Sequence, residues 1–191
     1  MVKSVSKNAA AHWKSILQTG LSRPSKSLAW KAPPEDMLKC NIDAAFSNGH
    51  ATSGVVLRNH NGSIKLAAVF HHQCLDPATA ESLAALDACK ILSELKIRKV
   101  IIESDCLDVV SFVHGLPDIC FWSAKPVIEK IKKFWNNWPS WIFKFSPRSS
   151  NGCSHALAKW GSSCNFNGFI PLDTIPICVF CDIGFPLVEP L

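Results

Sequence analysis

Three carboxylic acids occupy positions from which they could share a metal ion. Asp43 lies in the middle of the strand-like run KCNIDAAF, Glu81 lies in the first turn of a long helical segment, and Asp105 directly follows the apolar run VIIES. A carboxylate inside an apolar strand is costly to bury unless its charge is compensated. Three gathered carboxylates repel one another unless a cation lies between them, and hard oxygen ligands suit Mg²⁺ or Mn²⁺. These acids are therefore candidate catalytic residues and metal ligands.

Each acid also has an ordinary structural explanation when it is taken alone. Glu81 could complement the dipole of its helix, and Asp105 could cap the helix that follows it. Asp108, one helical turn further on, could be a solvated helix residue. Only an arrangement that brings the acids together would turn them into a site.

The elements that must position these acids follow from the periodicity of the apolar residues. Three strand-like runs come first, with the turn NHNG between the second and the third. Helix, strand, two helices, strand and helix follow. The predicted ranges, in chain order, are Leu38–Phe46, Ser53–Arg58, Ser63–His72, 80–95, Lys99–Ser104, 105–115, Ser123–Asn137, Ser140–Ser146 and a last helix from Asn151. We expect Thr79 to cap the first helix and Asn151 the last.

This order predicts an α/β domain in which a mixed sheet carries helices on its faces. Side chains at strand ends converge on one open edge of such a sheet. Asp43, Glu81 and Asp105 would therefore meet at one point if the first and fourth strands are neighbours.

The segments that carry these acids resemble a known family. The quoted pieces are W…PP…LKCNIDAAF, SGVVLRNHNGSIKLA, AESLAALDACKIL, KVIIESDCLDVV and SPRSSNGCSHALAK, in that order. They resemble the ribonuclease H-type domain in its reverse-transcriptase-like, retroelement-derived form that is widespread in plants. The resemblance runs from about Trp30 to Cys164. It implies a five-stranded mixed sheet, with three antiparallel strands and then parallel ones, and helices on both faces.

The resemblance also implies an activity. It is that of a nuclease that hydrolyses the RNA strand of an RNA–DNA hybrid with two divalent ions, Mg²⁺ or Mn²⁺. Asp43 matches the acid that bridges the ions, and Glu81 and Asp105 match the next two acids. Strand choice would come from the shallow minor groove, where the 2′-hydroxyls are displayed.

One position departs from the family pattern. The family places a fourth acid at the start of the last helix, and this chain has His155 there. A neutral imidazole brings one nitrogen and no negative charge, so it holds Mg²⁺ less well than a carboxylate and suits Mn²⁺ better. We expect the second ion to bind more weakly and the activity to be reduced or shifted toward Mn²⁺. The alternative for His155 is a first-turn helix residue that faces solvent or packs near Trp160.

Nucleic-acid contacts are expected from four residues, Asn151, Arg148, Lys125 and Lys132. Phosphate contacts by lysines would be sensitive to salt and blind to sequence, and a solvated helix face is the alternative for Lys125 and Lys132. The basic, tryptophan-bearing protrusion of some family members has no counterpart between Gly115 and Ser123. Three tryptophans further on could stack on bases, although their spacing favours core packing. They are Trp135, Trp138 and Trp141.

Composition frames these expectations. The chain has 191 residues, 48% of them hydrophobic, and a net charge of +5, which suits one domain with flanks and a mild preference for anionic partners. We expect residues 1–29 to be a basic arm, 30–164 the domain and 165–191 an apolar tail broken by prolines. Nine scattered cysteines and no signal peptide favour a reducing compartment, cytosol or nucleus. No membrane helix is expected.

Three functions stay open at this point. The first is a metal-dependent ribonuclease that acts on hybrids. The second is a nucleic-acid-binding module without catalysis, derived from a retroelement. The third is a protein-interaction domain that keeps the fold as a scaffold. The oligomeric state does not follow from the sequence.

Overall fold

The computed structural model describes residues 30–115 and 122–180. The expected basic arm, most of the loop after Gly115 and the end of the apolar tail lie outside the described residues. Within them, no helix is both long and apolar enough to cross a bilayer.

A mixed sheet forms the centre of the domain. Its strands are β1 (Leu38–Ser47), β2 (His50–Arg58), β3 (Ile64–Gln73), β4 (Val100–Ser104), β5 (Trp141–Phe145) and β6 (Gly168–Ile170). The spatial order of the strands is β5-β4-β1-β2-β3-β6. The pairs β1–β2, β2–β3 and β3–β6 are antiparallel, and the pairs β1–β4 and β4–β5 are parallel. The expected fold class is confirmed.

The number of strands is a correction, because the sheet built by residues 30–115 and 122–180 has six strands and not five. Gly168–Ile170 pairs antiparallel with Ala67–Val69 at the edge of the sheet. This run is only three residues long and is followed by Pro171, so it is too short to show the alternation from which a strand could be predicted.

Two tight turns set the register of the first three strands. Asn48 and Gly49, both with positive φ, join β1 to β2 as a two-residue hairpin. In the next turn the side chain of Asn59 accepts hydrogen bonds from the backbone N–H groups of Asn61 and Ser63. The turn predicted at NHNG is thus present, and β2 starts three residues earlier than expected.

Among the residues that the structure describes, four α-helices cover the two faces of the sheet. They are α1 (Pro77–Glu94), α2 (Leu107–Val113), α3 (Lys125–Asn137) and α4 (Gly152–Cys164). The first three pack with one apolar core, and α4 packs with a second core on β2 and β3. Trp141 lies in the first core, Trp138 stacks on it at 5.4 Å, and Trp135 donates a hydrogen bond to its carbonyl. These three tryptophans pack the helix–strand junction.

The caps of α1 and α4 differ from the expectation. Asp76, and not Thr79, caps α1, because Pro77 fits the first helical position and Asp76 Oδ1 accepts from the Thr79 N–H at 2.8 Å. The helix therefore begins earlier, and Glu81 opens its second turn instead of lying in the first. Asn151 stands at the cap position of α4 but makes no side-chain cap, because its amide is used inside the domain.

A glycine brings α4 close to the sheet. A Cβ atom at Gly54 would lie 2.5 Å from the carbonyl oxygen of Ser154 and 2.7 Å from the backbone nitrogen of Ala158. Only glycine allows β2 and the first turns of α4 to approach this closely. The approach holds His155, in the first turn of α4, against the rim of the sheet.

Candidate metal and active site

The parallel pairing of β1 with β4 places two of the acids side by side. Ile42 is in register with Ser104 at the last paired position of β1 and β4. Asp43 and Asp105 directly follow these two residues, so they lie side by side where this pairing ends. Helix α1 crosses this edge and adds Glu81. One ligand atom from each of the three carboxylates lies within 4.8 Å of the others, a spacing that one metal ion could bridge.

Burial makes this acid cluster unstable as three free charges. Asp43 is 1% exposed. Loss of hydration, and then the charge of Asp105 and a hydrogen bond with it, raise the pKa of Asp43 to about 8. Burial and the charges of Asp43 and Asp105 raise the pKa of Glu81 to about 9. The Oε2 atom of Glu81 is buried without a hydrogen-bond partner among the described residues. A divalent cation would give Glu81 Oε2 a ligand contact, and its positive charge would offset the negative charges of the three carboxylates.

A histidine and an arginine close one side of the acid cluster. His155 Nδ1 lies 2.6 Å from Asp43 Oδ2, and Arg148 Nη2 lies 2.8 Å from His155 Nε2. The same Nη2 atom of Arg148 lies 3.1 Å from His155 Nδ1, so the guanidinium contacts both ring nitrogens of the imidazole. The Arg148 guanidinium also lies 3.8 Å from Asp105 Oδ2, and its side chain is 66% exposed.

Two buried asparagines lie beneath the cluster. Asn151 Nδ2 donates to the carbonyl oxygen of Ile42 at 2.8 Å and to Asp105 Oδ1 at 3.3 Å. Asn151 Oδ1 accepts from Asn41 Nδ2 at 3.1 Å. Asn151 is fully buried, which leaves its side chain no surface for direct contact with a nucleic acid.

An open cleft of about 520 Å³ leads to the acids. It is lined by Asp76, Pro77, Ala78, Glu81, Asp105, Cys106, Asp108 and Arg148. Lys125 and Lys132 belong to α3 and are not part of this lining. Lys125 lies over the exposed ring of Trp122, and Lys132 forms an ion pair with Glu129.

The structure thus brings together six of the eight expected site residues and leaves Lys125 and Lys132 apart from them. The six are Asp43, Glu81, Asp105, His155, Arg148 and Asn151. Sequence reasoning missed Asn41, although the period of two along β1 puts it on the same face as Asp43 and would have indicated its proximity. It also missed Arg58 and Trp30, for which the sequence carries no comparable signal.

Comparisons with solved structures support the fold. RNase H1 from the halophilic archaeon Halobacterium salinarum NRC-1 superposes with a TM-score of 0.62 at 18% identity, covering 66% of this chain and 98% of that one. LC11-RNase H1 in complex with an RNA/DNA hybrid superposes with a TM-score of 0.55 at 20% identity, covering 63% and 91%. The foamy viral protease-reverse transcriptase in complex with an RNA/DNA hybrid gives 0.52 at 16% identity, covering 75% and 22%.

Sequence comparison identifies the family. A search of curated proteins returned no significant match. The profile of a family described as reverse transcriptase-like matches residues 41–161, which is more than half of the chain. The matched range includes the three acids and His155. The chain therefore belongs to the reverse transcriptase-like family and has the ribonuclease H-like fold.

Proposed function

We propose that this protein binds nucleic acid and hydrolyses the RNA strand of RNA–DNA hybrids with the help of divalent cations. The observation that carries the proposal is the cluster of buried Asp43 with half-buried Glu81 and Asp105, whose ligand atoms lie within 4.8 Å of one another. Two of the superposed structures were determined with an RNA/DNA hybrid. Their similarity supports the substrate class, and the acid cluster supports the chemistry.

The donor set fits Mg²⁺ or Mn²⁺, because all three ligands are carboxylates. The cluster carries three negative charges when it is ionised, and Arg148 offsets one of them. A bound divalent cation would lower the pKa of an attacking water and stabilise the leaving oxygen. Two ions are expected from the family resemblance, with the second one bound less strongly because His155 replaces a carboxylate.

The residues around the acids have separate roles in this proposal. The hydrogen bond between His155 and Asp43 fixes the direction of the Asp43 carboxyl group, and His155 could offer a nitrogen to Mn²⁺ after rotation. Arg148 is two-thirds exposed at the wall of the cleft, where its guanidinium could contact a substrate phosphate. Asn151 acts from beneath the site, through Asp105. Lys125 and Lys132 would contact the nucleic-acid backbone further from the scissile bond.

The setting proposed for this activity is a reducing compartment. Cys40 and Cys89 remain thiols in the apolar core, where burial raises their pKa. Buried thiols of this kind behave as small apolar side chains and require no oxidising environment.

The second candidate is a nucleic-acid-binding module derived from a retroelement, with weak or no catalysis. The observation that favours it is His155, which takes up one oxygen of Asp43 and brings no negative charge of its own. A third candidate, a scaffold for protein contacts, requires neither the acids nor the cleft.

Cleavage of an end-labelled RNA–DNA hybrid separates these candidates. Wild type, Asp43→Asn and His155→Asp are assayed with Mg²⁺ and with Mn²⁺, and Asp108→Asn serves as a control that lines the same cleft. We expect wild type to cleave better with Mn²⁺, Asp43→Asn to be inactive, and His155→Asp to gain activity with Mg²⁺ because it adds a carboxylate ligand. If wild type and Asp43→Asn bind hybrid alike and neither cuts it, the binding module is the correct function. If hybrid binding is missing too, only the scaffold remains.

A further inference from the structure

We propose that Asn41 and Asn151 form a hydrogen-bond relay that positions Asp105, and that Trp30 and Arg58 hold the far end of this relay. The inference rests on the proposed function, because Asp105 is one of the three acids assigned to the cation. It gives a role to Trp30, which lies ahead of β1 and outside the residues 41–161 that match the family profile.

The relay begins at the side-chain oxygen of Asn41. Trp30 Nε1 and Arg58 Nη2 each donate to this oxygen, both at 2.9 Å. Tryptophan and arginine side chains can only donate here, so the oxygen of the Asn41 amide must face them. The Asn41 Nδ2 atom then points the other way, toward Glu103 Oε2 at 3.2 Å and Asn151 Oδ1 at 3.1 Å.

The second amide passes the same orientation on. Asn151 accepts from Asn41 through its oxygen, so its Nδ2 atom faces Asp105 Oδ1 and the carbonyl oxygen of Ile42. Each amide group uses its oxygen on the side of Trp30 and its nitrogen on the side of Asp105. A flip of either amide would bring two donors or two acceptors face to face and leave buried polar groups without hydrogen bonds, which is unfavourable. The direction of the donors is therefore fixed along the whole relay.

The charges buried around the relay indicate that it does more than fill the core. Arg58 is 0% exposed and lies 4.0 Å from the centre of the Trp30 ring. Lys39 and Glu103 form a buried ion pair at 2.8 Å, and Glu103 also accepts from Asn41. Apolar residues of similar volume would stabilise the fold as well or better than such buried charges. Their location directly beneath the acids fits a positioning role, since residues behind metal ligands fix the direction of those ligands.

The test compares the relay with a buried hydrogen bond of similar kind that does not lead to Asp105. Asn41→Ala breaks the relay at its centre, and Trp30→Phe removes one donor while it keeps a ring beside Arg58. The matched control is Ser53→Ala, which removes the buried hydrogen bond from Ser53 to Asp87 on the side of α1. Thermal unfolding of all variants establishes that each is folded under the conditions used.

The first measurement needs neither a cation nor a substrate. The side-chain amide resonances of Asn151 are recorded by ¹⁵N–¹H NMR in metal-free protein. We expect them to shift strongly in Asn41→Ala, more weakly in Trp30→Phe, and not at all in Ser53→Ala. Unchanged resonances in Asn41→Ala would overturn the proposal, whatever the protein does with metal ions.

The second measurement is the affinity for Mn²⁺, followed by electron paramagnetic resonance without nucleic acid. We expect Asn41→Ala to weaken binding about tenfold, the effect common for residues behind metal ligands, and Ser53→Ala to leave it unchanged. Equal losses in Asn41→Ala and Ser53→Ala would mean that the relay supports stability only, and the positioning role would be wrong. If wild type binds no Mn²⁺, the proposed function and the positioning role fail together, while the amide resonances still show whether the hydrogen bonds exist.

Discussion

Asp43 is the residue on which the other members of the site converge. It shares a hydrogen bond and a charge repulsion with Asp105, forms a hydrogen bond with His155 and raises the pKa of Glu81. In the absence of a cation, burial and repulsion keep protons on this cluster that the unfolded chain would release. The site therefore costs the domain stability, and the cost depends on pH.

The first prediction concerns this cost. The carboxyl pKa values are near 4 in the unfolded chain and about 8 and 9 for Asp43 and Glu81 in the folded protein. The folded state then binds more protons at these two groups, so their contribution to stability is fully present below pH 4 and is lost as the pH rises toward 9. We expect Asp43→Asn to stabilise the metal-free protein at pH 8 by about 1–2 kcal/mol, which raises the Tm by roughly 2–8 °C.

Thermal unfolding in EDTA between pH 5 and pH 9 checks this expectation. The Tm of wild type should fall across this range, and that of Asp43→Asn should fall less. Asp108→Asn, a carboxyl lost from the same cleft, should follow wild type. If the Tm of wild type and that of Asp43→Asn fall equally with pH, ionisation of the acid cluster does not lower the stability of the folded protein.

At the scale of the elements, most of the fold could be predicted because its signals are local. The alternation of β1 and β3, the apolar run of β4 and the period of α1 each lie within one segment of the sequence. The meeting of the three acids also followed, because it needs only that the first and fourth strands be neighbours. What could not be predicted depends on contacts between distant segments. The side chain of Asn151 turns away from its own helix because Asn41, 110 positions earlier in the chain, offers it a better partner.

The second prediction tests the contact between β2 and α4. Gly54→Ala would place a Cβ atom against the backbone of Ser154 and Ala158, so the helix must move or the strand must bend. Forced overpacking of this kind costs about 3 kcal/mol. Because His155 lies in the same turn, we also expect its hydrogen bond to Asp43 to be lost.

Urea unfolding and the NMR shifts of the His155 ring measure the two effects. Gly161→Ala is the comparison, because there the added Cβ meets the side chains of Val69 and Thr52 instead of the backbone of a helix. A smaller loss of stability and an unchanged His155 ring are expected for it. If Gly54→Ala leaves the His155 resonances in place, the close approach of β2 does not position this residue.

At the scale of the whole molecule, the two apolar cores have different relations to the site. The core under α1, α2 and α3 holds the strand order that joins Asp43 to Asp105. The core under α4 holds His155 and Asn151, and it includes residues that follow α4 in the chain. Ile170 of β6 is 5% exposed and Val179 is 0% exposed, and the thiol of Cys153 donates to the Val179 carbonyl oxygen. Residues after α4 thus support the helix that closes the site.

The third prediction follows from this second core. A chain shortened after Cys164 loses the burial of Ile170 and Val179, each worth about 1.5–3 kcal/mol, whereas a chain that ends at Phe180 keeps both. We expect the shorter chain to be less stable by about 3–6 kcal/mol in urea unfolding, and to bind Mn²⁺ more weakly because α4 carries Asn151 and His155. The single variant Val179→Ala should show part of both losses. Equal stability of the two shortened chains would mean that α4 packs on the sheet without help from the residues that follow it, and the site would then depend only on residues before 165.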